Sequence, residues 1–135
     1  MDASPDAEAQ PDVEDPITEV FTPEDFRAAV FESDKPVIVD FWAAWCQPCM
    51  RMAPLFAELA ERYPAVRFVK VETDRAPEIA RLMRIKGLPT FALVWQGEVR
   101  DVVVGAQTRK QLVKHVERLV ARAEGKGFFQ RLLGR

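Results

Sequence analysis

The stretch Val37 to Cys49, VIVDFWAAWCQPC, holds two patterns that meet at one point. Residues 37–43 form a nearly continuous apolar run rich in β-branched side chains, which is how a strand buried on both faces reads. From residue 46 to residue 62 helical spacing takes over, with Met52, Leu55, Phe56, Leu59 and Ala60 on one side. Pro54 is expected to kink this helix, because it lacks an N–H and its ring clashes with the preceding turn. Tyr63-Pro64 ends it. Both cysteines of the chain, Cys46 and Cys49, stand where the buried strand becomes a helix.

The flanking sequence supplies the rest of the sheet. Residues 17–21 alternate and read as a short edge strand. Thr22-Pro23-Glu24-Asp25 is a helix start, with an N-cap threonine, proline first and an acid behind it. Phe26, Ala29 and Val30 continue as a helical stripe until Asp34-Lys35-Pro36. Residues 66–72 form the next strand and residues 77–84 a short helix. After the turn Gly87-Leu88-Pro89-Thr90 come strand 91–95, a Gln96-Gly97 turn and strand 98–104, a hairpin. Thr108 caps a last helix over about 109–122, with Leu112, Val113, Val116, Leu119 and Val120 on one face.

The order β-α-β-α-β-α-β-β-α predicts an α/β domain with a mixed sheet and helices on both faces. Strands joined through helices are expected to be parallel, and the final hairpin antiparallel. The domain is read over residues 17–122. Residues 1–16 read as a disordered acidic arm with too little apolar surface to offset ordering entropy. Residues 123–135 read as a tail, in which Gly125-Lys126-Gly127 leads to a short amphipathic helix bearing Phe128, Phe129, Leu132 and Leu133.

The whole chain sets outer bounds. Its 135 residues fit one domain with a sizeable core, 48% hydrophobic and 30% charged. The formal net charge of −2 does not suggest nucleic acid as a partner. The charge is uneven, however. Residues 1–20 hold seven acids and no base, so the other 115 residues set 14 acids against all 19 bases, a balance of +5. The start of the chain has neither a basic segment nor an apolar run, so the expectation is a cytoplasmic protein without a membrane span.

In a reducing compartment a Cys-x-x-Cys is catalytic or metal-binding sooner than a static staple. Zinc needs about four ligands. The chain offers two cysteines and one histidine, His115, so a closed site in one protomer is hard to build. A disulfide across so small a loop constrains the unfolded chain little. Dithiol–disulfide exchange is the reading that remains best supported. A helix N-terminus presents free N–H groups and partial positive charge, which favours thiolate over thiol at Cys46. One turn further, Cys49 comes back beside it in a less exposed place. Cys46 is therefore the attacking residue and Cys49 the resolving one.

VIVDFWAAWCQPC, followed by Gly-Leu-Pro-Thr at 87–90 and a glycine at 105, resembles the thioredoxin family over roughly residues 17–122. The resemblance implies that family's fold, a central mixed sheet of five strands flanked by four helices. It also implies roles. Asp40 would be the buried carboxylate behind Cys49, accepting its proton through water, and Lys70 would tune Asp40. Pro89 matches the family's cis proline. Trp45, Leu88, Pro89, Gly105 and Ala106, with Gln47 and Pro48 between the cysteines, would contact substrate. The simpler alternatives are a hydrogen-bonded core Asp40 and a Lys70 that reaches water at a strand end.

The implied activity is reduction of protein disulfides, as an electron donor in redox homeostasis. No bound cofactor or metal is implied; electrons would come from NADPH through thioredoxin reductase. The other partners would be disulfide-bearing clients, and the protein a monomer. Two departures stand out. Gln47-Pro48 replaces the family's common Gly-Pro, and Met50 stands where a basic residue is usual. Rival readings are a chaperone or binding module on this fold, or an exported oxidant or isomerase.

Overall fold

The computed structural model describes residues 15–132, with side chains through Gly125. The acidic arm before residue 15, the tail side chains after Gly125 and residues 133–135 lie outside the described residues. Five strands, β1 (Ile17–Glu19), β2 (Val37–Trp42), β3 (Arg67–Glu72), β4 (Thr90–Trp95) and β5 (Glu98–Val104), form one sheet in the order β1-β3-β2-β4-β5. Four helical segments cover it. The first, α1, is a single turn at Pro23–Phe26 that continues as a π-helix at Arg27–Phe31. The others are α2 (Gln47–Arg62), α3 (Pro77–Leu82) and α4 (Arg109–Leu132).

Strand β2 lies in the middle of the sheet, and Val37 through Phe41 are all buried. Successive side chains of a strand point to opposite faces. Val37, Val39 and Phe41 accordingly join Val69, Val71, Ala92 and Val94 beneath Phe26, Val30 and Ile79 of α1 and α3. Ile38 joins Phe68, Phe91 and Leu93 beneath Met52, Phe56 and Leu59 of α2 and Leu112, Val116 and Leu119 of α4. Phe56 anchors this second layer, edge-on to Phe68 at 5.0 Å between centroids. Such a pair adds roughly 0.5–1.5 kcal/mol to the burial of the rings themselves.

Local signals account for most element ends. Thr22 Oγ1 accepts from the Asp25 N–H and Pro23 fills the first helical position. Thr108 and Gln111 cap α4 reciprocally: the Gln111 N–H donates to Thr108 Oγ1, and the Thr108 N–H to Gln111 Oε1. The β4–β5 hairpin turns on Gln96 and Gly97, with φ of 54° and 77°. Two positive φ values in a two-residue loop suit the right-handed twist of the strands.

Two expectations need correction. Strands β1, β3 and β2 are mutually parallel, but β4 runs antiparallel to β2 although a helix precedes it. The short helix alone does not carry the chain back, and residues 83–89 after it turn and bend in place of running extended. The six residues of α3 rise only ~9 Å, whereas a six-residue strand spans ~20 Å. The chain is not carried back to the start of the sheet, and β4 begins at the end where β2 and β3 finish. Second, Gly125-Lys126-Gly127 does not separate a tail helix. The backbone of α4 is continuous to Leu132, since an interior glycine weakens a helix by about 1 kcal/mol without breaking it. Strand β5 also contains a bulge: Leu93 pairs with Asp101 and Val94 with Val99, which leaves Arg100 as the extra residue.

Candidate redox site

The strand directions bring three things to one end of the sheet: the end of β2, the start of α2 and the start of β4. Cys46 is the N-cap of α2, in extended conformation, and Cys49 lies in its first turn. The two are joined as a disulfide with Cα atoms 5.3 Å apart. The Cys49 N–H points at Cys46 Sγ, 3.3 Å away, so the sulfur sits where a capping oxygen normally does. Both cysteines are nearly buried and pack with Ala43, Trp42 and Leu88.

The rim differs from this floor. Trp45 is 69% exposed and Met50 44% exposed on either side of the cysteines. Gln47 opens α2 in solvent, and Pro48 follows half-buried. The Trp45 indole N–H donates to Asp74 Oδ2 at 2.9 Å, which fixes an otherwise free ring. Sequence reasoning missed Asp74, a turn residue after β3 that carries no local mark of this role. Beside Trp45 a cavity of about 200 Å³ is lined by Thr73, Ala80, Ile85, Lys86, Gly87 and Leu88.

The Leu88–Pro89 peptide bond is cis, and Pro89 is buried. The Pro89 carbonyl accepts from the Gly105 N–H at 2.8 Å, which joins the start of β4 to the end of β5. Gly105 has φ of 103°, a conformation that side chains rarely adopt. Its missing Cβ would meet nothing within 4 Å, so glycine here serves the backbone bend and leaves open space in front of it. Ala106 is exposed next to it, and the Gln107 amide donates to the Gly105 carbonyl. Leu88, Pro89, Gly105 and Ala106 thus form one continuous ledge.

Asp40 lies two residues before the end of β2 and is 2% exposed. By strand alternation it shares the face of Ile38, beneath α2. Its Oδ1 has no hydrogen-bond partner among the described residues, and neither has the buried Nε1 of Trp42. Burial raises the Asp40 pKa from 3.8 to about 7; the positive charge of Lys70 acts the other way. Lys70 is the register partner of Asp40 across β2–β3, and its Nζ lies 4.5 Å from the Trp42 ring centroid, a cation–π distance. His115 lies in the first third of α4, where its ring contacts Arg118.

A disulfide closed across the first turn of a helix, packed with Ala43, Trp42 and Leu88 and followed by a cis Leu88–Pro89 bond, defines a thiol–disulfide oxidoreductase site. Comparison with known proteins agrees. The family model for thioredoxin matches residues 17–118. Thioredoxin 1 of Nostoc sp. is 40% identical over 94 residues, 69% of this chain and 88% of that one. An H-type thioredoxin of Oryza sativa is 41% identical over 95 residues, covering 68% and 78%. Among solved structures, oxidised mitochondrial thioredoxin 3 of Saccharomyces cerevisiae superposes with a TM-score of 0.70 at 35% identity, over 76% of this chain and 95% of that one. The chain belongs to the thioredoxin family.

Proposed function

We propose that this protein reduces disulfides of other proteins and is itself recharged by an NADPH-linked thioredoxin reductase, in a reducing compartment such as the cytoplasm. The observation that carries this reading is the Cys46–Cys49 pair at the head of α2 with the orphaned, near-neutral Asp40 carboxyl in the core behind it. In the reduced protein the Cys46 thiolate attacks a client disulfide. A mixed disulfide forms and one client thiolate leaves. Asp40, ionised in a substantial fraction of molecules near pH 7, accepts the Cys49 proton through a bridging water. The Cys49 thiolate then attacks Cys46 Sγ and expels the second client thiolate. The protein ends in the disulfide form described above, two electrons poorer, and the client carries two thiols.

Lys70 tunes Asp40 through its charge. Trp45, Gln47 and Pro48 on one side and the ledge of Leu88, Pro89, Gly105 and Ala106 on the other receive an extended client segment. Gln47, exposed and larger than glycine, adds a polar contact at the mouth. No bound cofactor enters the cycle.

Insulin disulfide reduction with NADPH and a thioredoxin reductase from the same source tests this. Catalytic NADPH oxidation that is lost in Cys46→Ser is the expected result. Absence of turnover by the unsubstituted protein refutes the reading.

A further inference from the structure

In a regular strand Arg100 and Asp101 would point to opposite faces of the sheet. The bulge at Arg100 cancels that alternation, and both side chains line one cavity between β5 and α4. Bulges commonly re-aim a side chain in this way. The cavity measures about 120 Å³ and is lined by Leu93, Arg100, Asp101, Arg118, Leu119 and Arg122. Leu93 and Leu119 are buried and close its base. Its polar lining residues are three arginines and one aspartate.

Those groups are not fully paired. Arg100 has a side chain only 29% exposed; its Nε donates to the Trp95 carbonyl and its outer nitrogen lies 3.2 Å from Glu98 at the rim. Asp101 Oδ1 accepts from the Val102 N–H, and Oδ2 lies 3.5 Å from Arg118. Arg118 also touches His115 Nδ1. The Arg122 guanidinium has no hydrogen-bond or ion-pair partner among the described residues. Lys114 lies one and two helical turns before Arg118 and Arg122, on the same side of α4. The lining therefore carries surplus positive charge around a space closed at the bottom by leucines.

We propose that this cavity binds inorganic phosphate. The space has room for a tetrahedral oxyanion. Planar guanidinium forks arriving from a strand and from a helix match the divergent oxygens of such an ion. Asp101 selects among oxyanions. A carboxylate repels an ion without a proton, but accepts a hydrogen bond from one that keeps a hydroxyl. Hydrogen phosphate keeps a hydroxyl at neutral pH. Sulfate does not, and a phosphate monoester, with its second pKa near ~6, mostly does not. The site lies three residues along β4 from Thr90, roughly 10 Å from the redox end of the sheet, and shares no residue with it.

The test is a ¹H–¹⁵N NMR titration of the oxidised full-length protein at constant ionic strength. Sodium phosphate is one arm; sodium sulfate and a phosphate monoester are the others. Saturable shifts confined to the amides around Leu93, Arg100, Asp101 and Arg118–Arg122, at least tenfold tighter for phosphate than for sulfate, are expected. Arg122→Gln should weaken phosphate at least tenfold, and Asp101→Asn should erase the preference over sulfate. Both positions are exposed, so unchanged spectra elsewhere report that the variants fold. Shifts that do not saturate, that spread over the basic surface, or that survive Arg122→Gln overturn the proposal. Equal affinity for sulfate in the unsubstituted protein overturns it as well.

Discussion

Replacing Asp40 by asparagine should stabilise the oxidised protein in alkaline solution and hardly at all in acid. The folded-state pKa is raised from 3.8 to about 7, chiefly by burial. Between those values the native protein holds a proton that the unfolded chain has released. Stability therefore falls as pH rises through this window and levels off above it. At ~1.36 kcal/mol for each pH unit between the two pKa values, the ionised native state carries a penalty on the order of 4 kcal/mol. That is a large share of the ~5–15 kcal/mol by which domains are stable. Asparagine cannot ionise, so the gap between variant and parent should open across the window and then stay constant. Guanidinium unfolding followed by tryptophan fluorescence, with the disulfide intact, measures it. With an m-value of roughly 4 kcal/mol per molar, the midpoint of Asp40→Asn should exceed that of the parent by about 1 M at the alkaline end. A gap of equal size at about pH 4 and at about pH 8 would reflect packing alone and refute the argument from ionisation.

Three further outcomes are expected. In stopped-flow reduction of a model disulfide, Asp40→Ala should slow release of the mixed disulfide more than the attack by Cys46; equal slowing of both steps would reduce Asp40 to a structural part. Phe56→Ala should cost about 3–5 kcal/mol in denaturant unfolding, because it empties the centre of the α2 layer; a loss below ~1 kcal/mol would mean that the layer collapses around the gap. Gly97→Ala should cost about 1–3 kcal/mol, since φ is +77° and a Cβ would stand 3.3 Å from the Phe31 carbonyl oxygen. Asparagine there should cost less, as it tolerates the left-handed region, and thermal unfolding of the two variants orders them.

The part of the site legible in the sequence is the part written locally. Val37 to Cys49 names its own strand, helix and junction, and Cys46 follows as an N-cap from that junction. Thr22-Pro23 and Thr108 likewise announce their helices through caps. What stayed hidden depends on comparing lengths or on distant partners. The direction of β4 follows from a short α3 and from residues 83–89 folding into turns, which no periodicity in residues 77–95 expresses. Residues 98–104 alternate poorly, yet nothing in them marks Arg100 as the bulged position. Asp74 meets Trp45 only after folding, and Gly125 and Gly127 look like a stop that their helical surroundings override. The roles of Asp40 and Pro89 came from likeness to a family and not from spacing; the orphaned carboxyl oxygen of Asp40 is visible only once the sheet is closed over it.

The direction of the strands and of α4 has a consequence for what can be attached to this chain. Ile17 begins β1 at the end of the sheet opposite the disulfide, because β1, β3 and β2 run parallel toward the cysteines. Helix α4 descends beside α2: Gln107 meets Met52, Arg109 meets Glu58, and Glu117 meets Tyr63 at the foot of α2. Both ends of the domain therefore leave from the same pole, and the disulfide occupies the other. A fused domain, a fluorescent label or a surface linker joined at either end would hold the molecule by its back, with its reactive face turned outward.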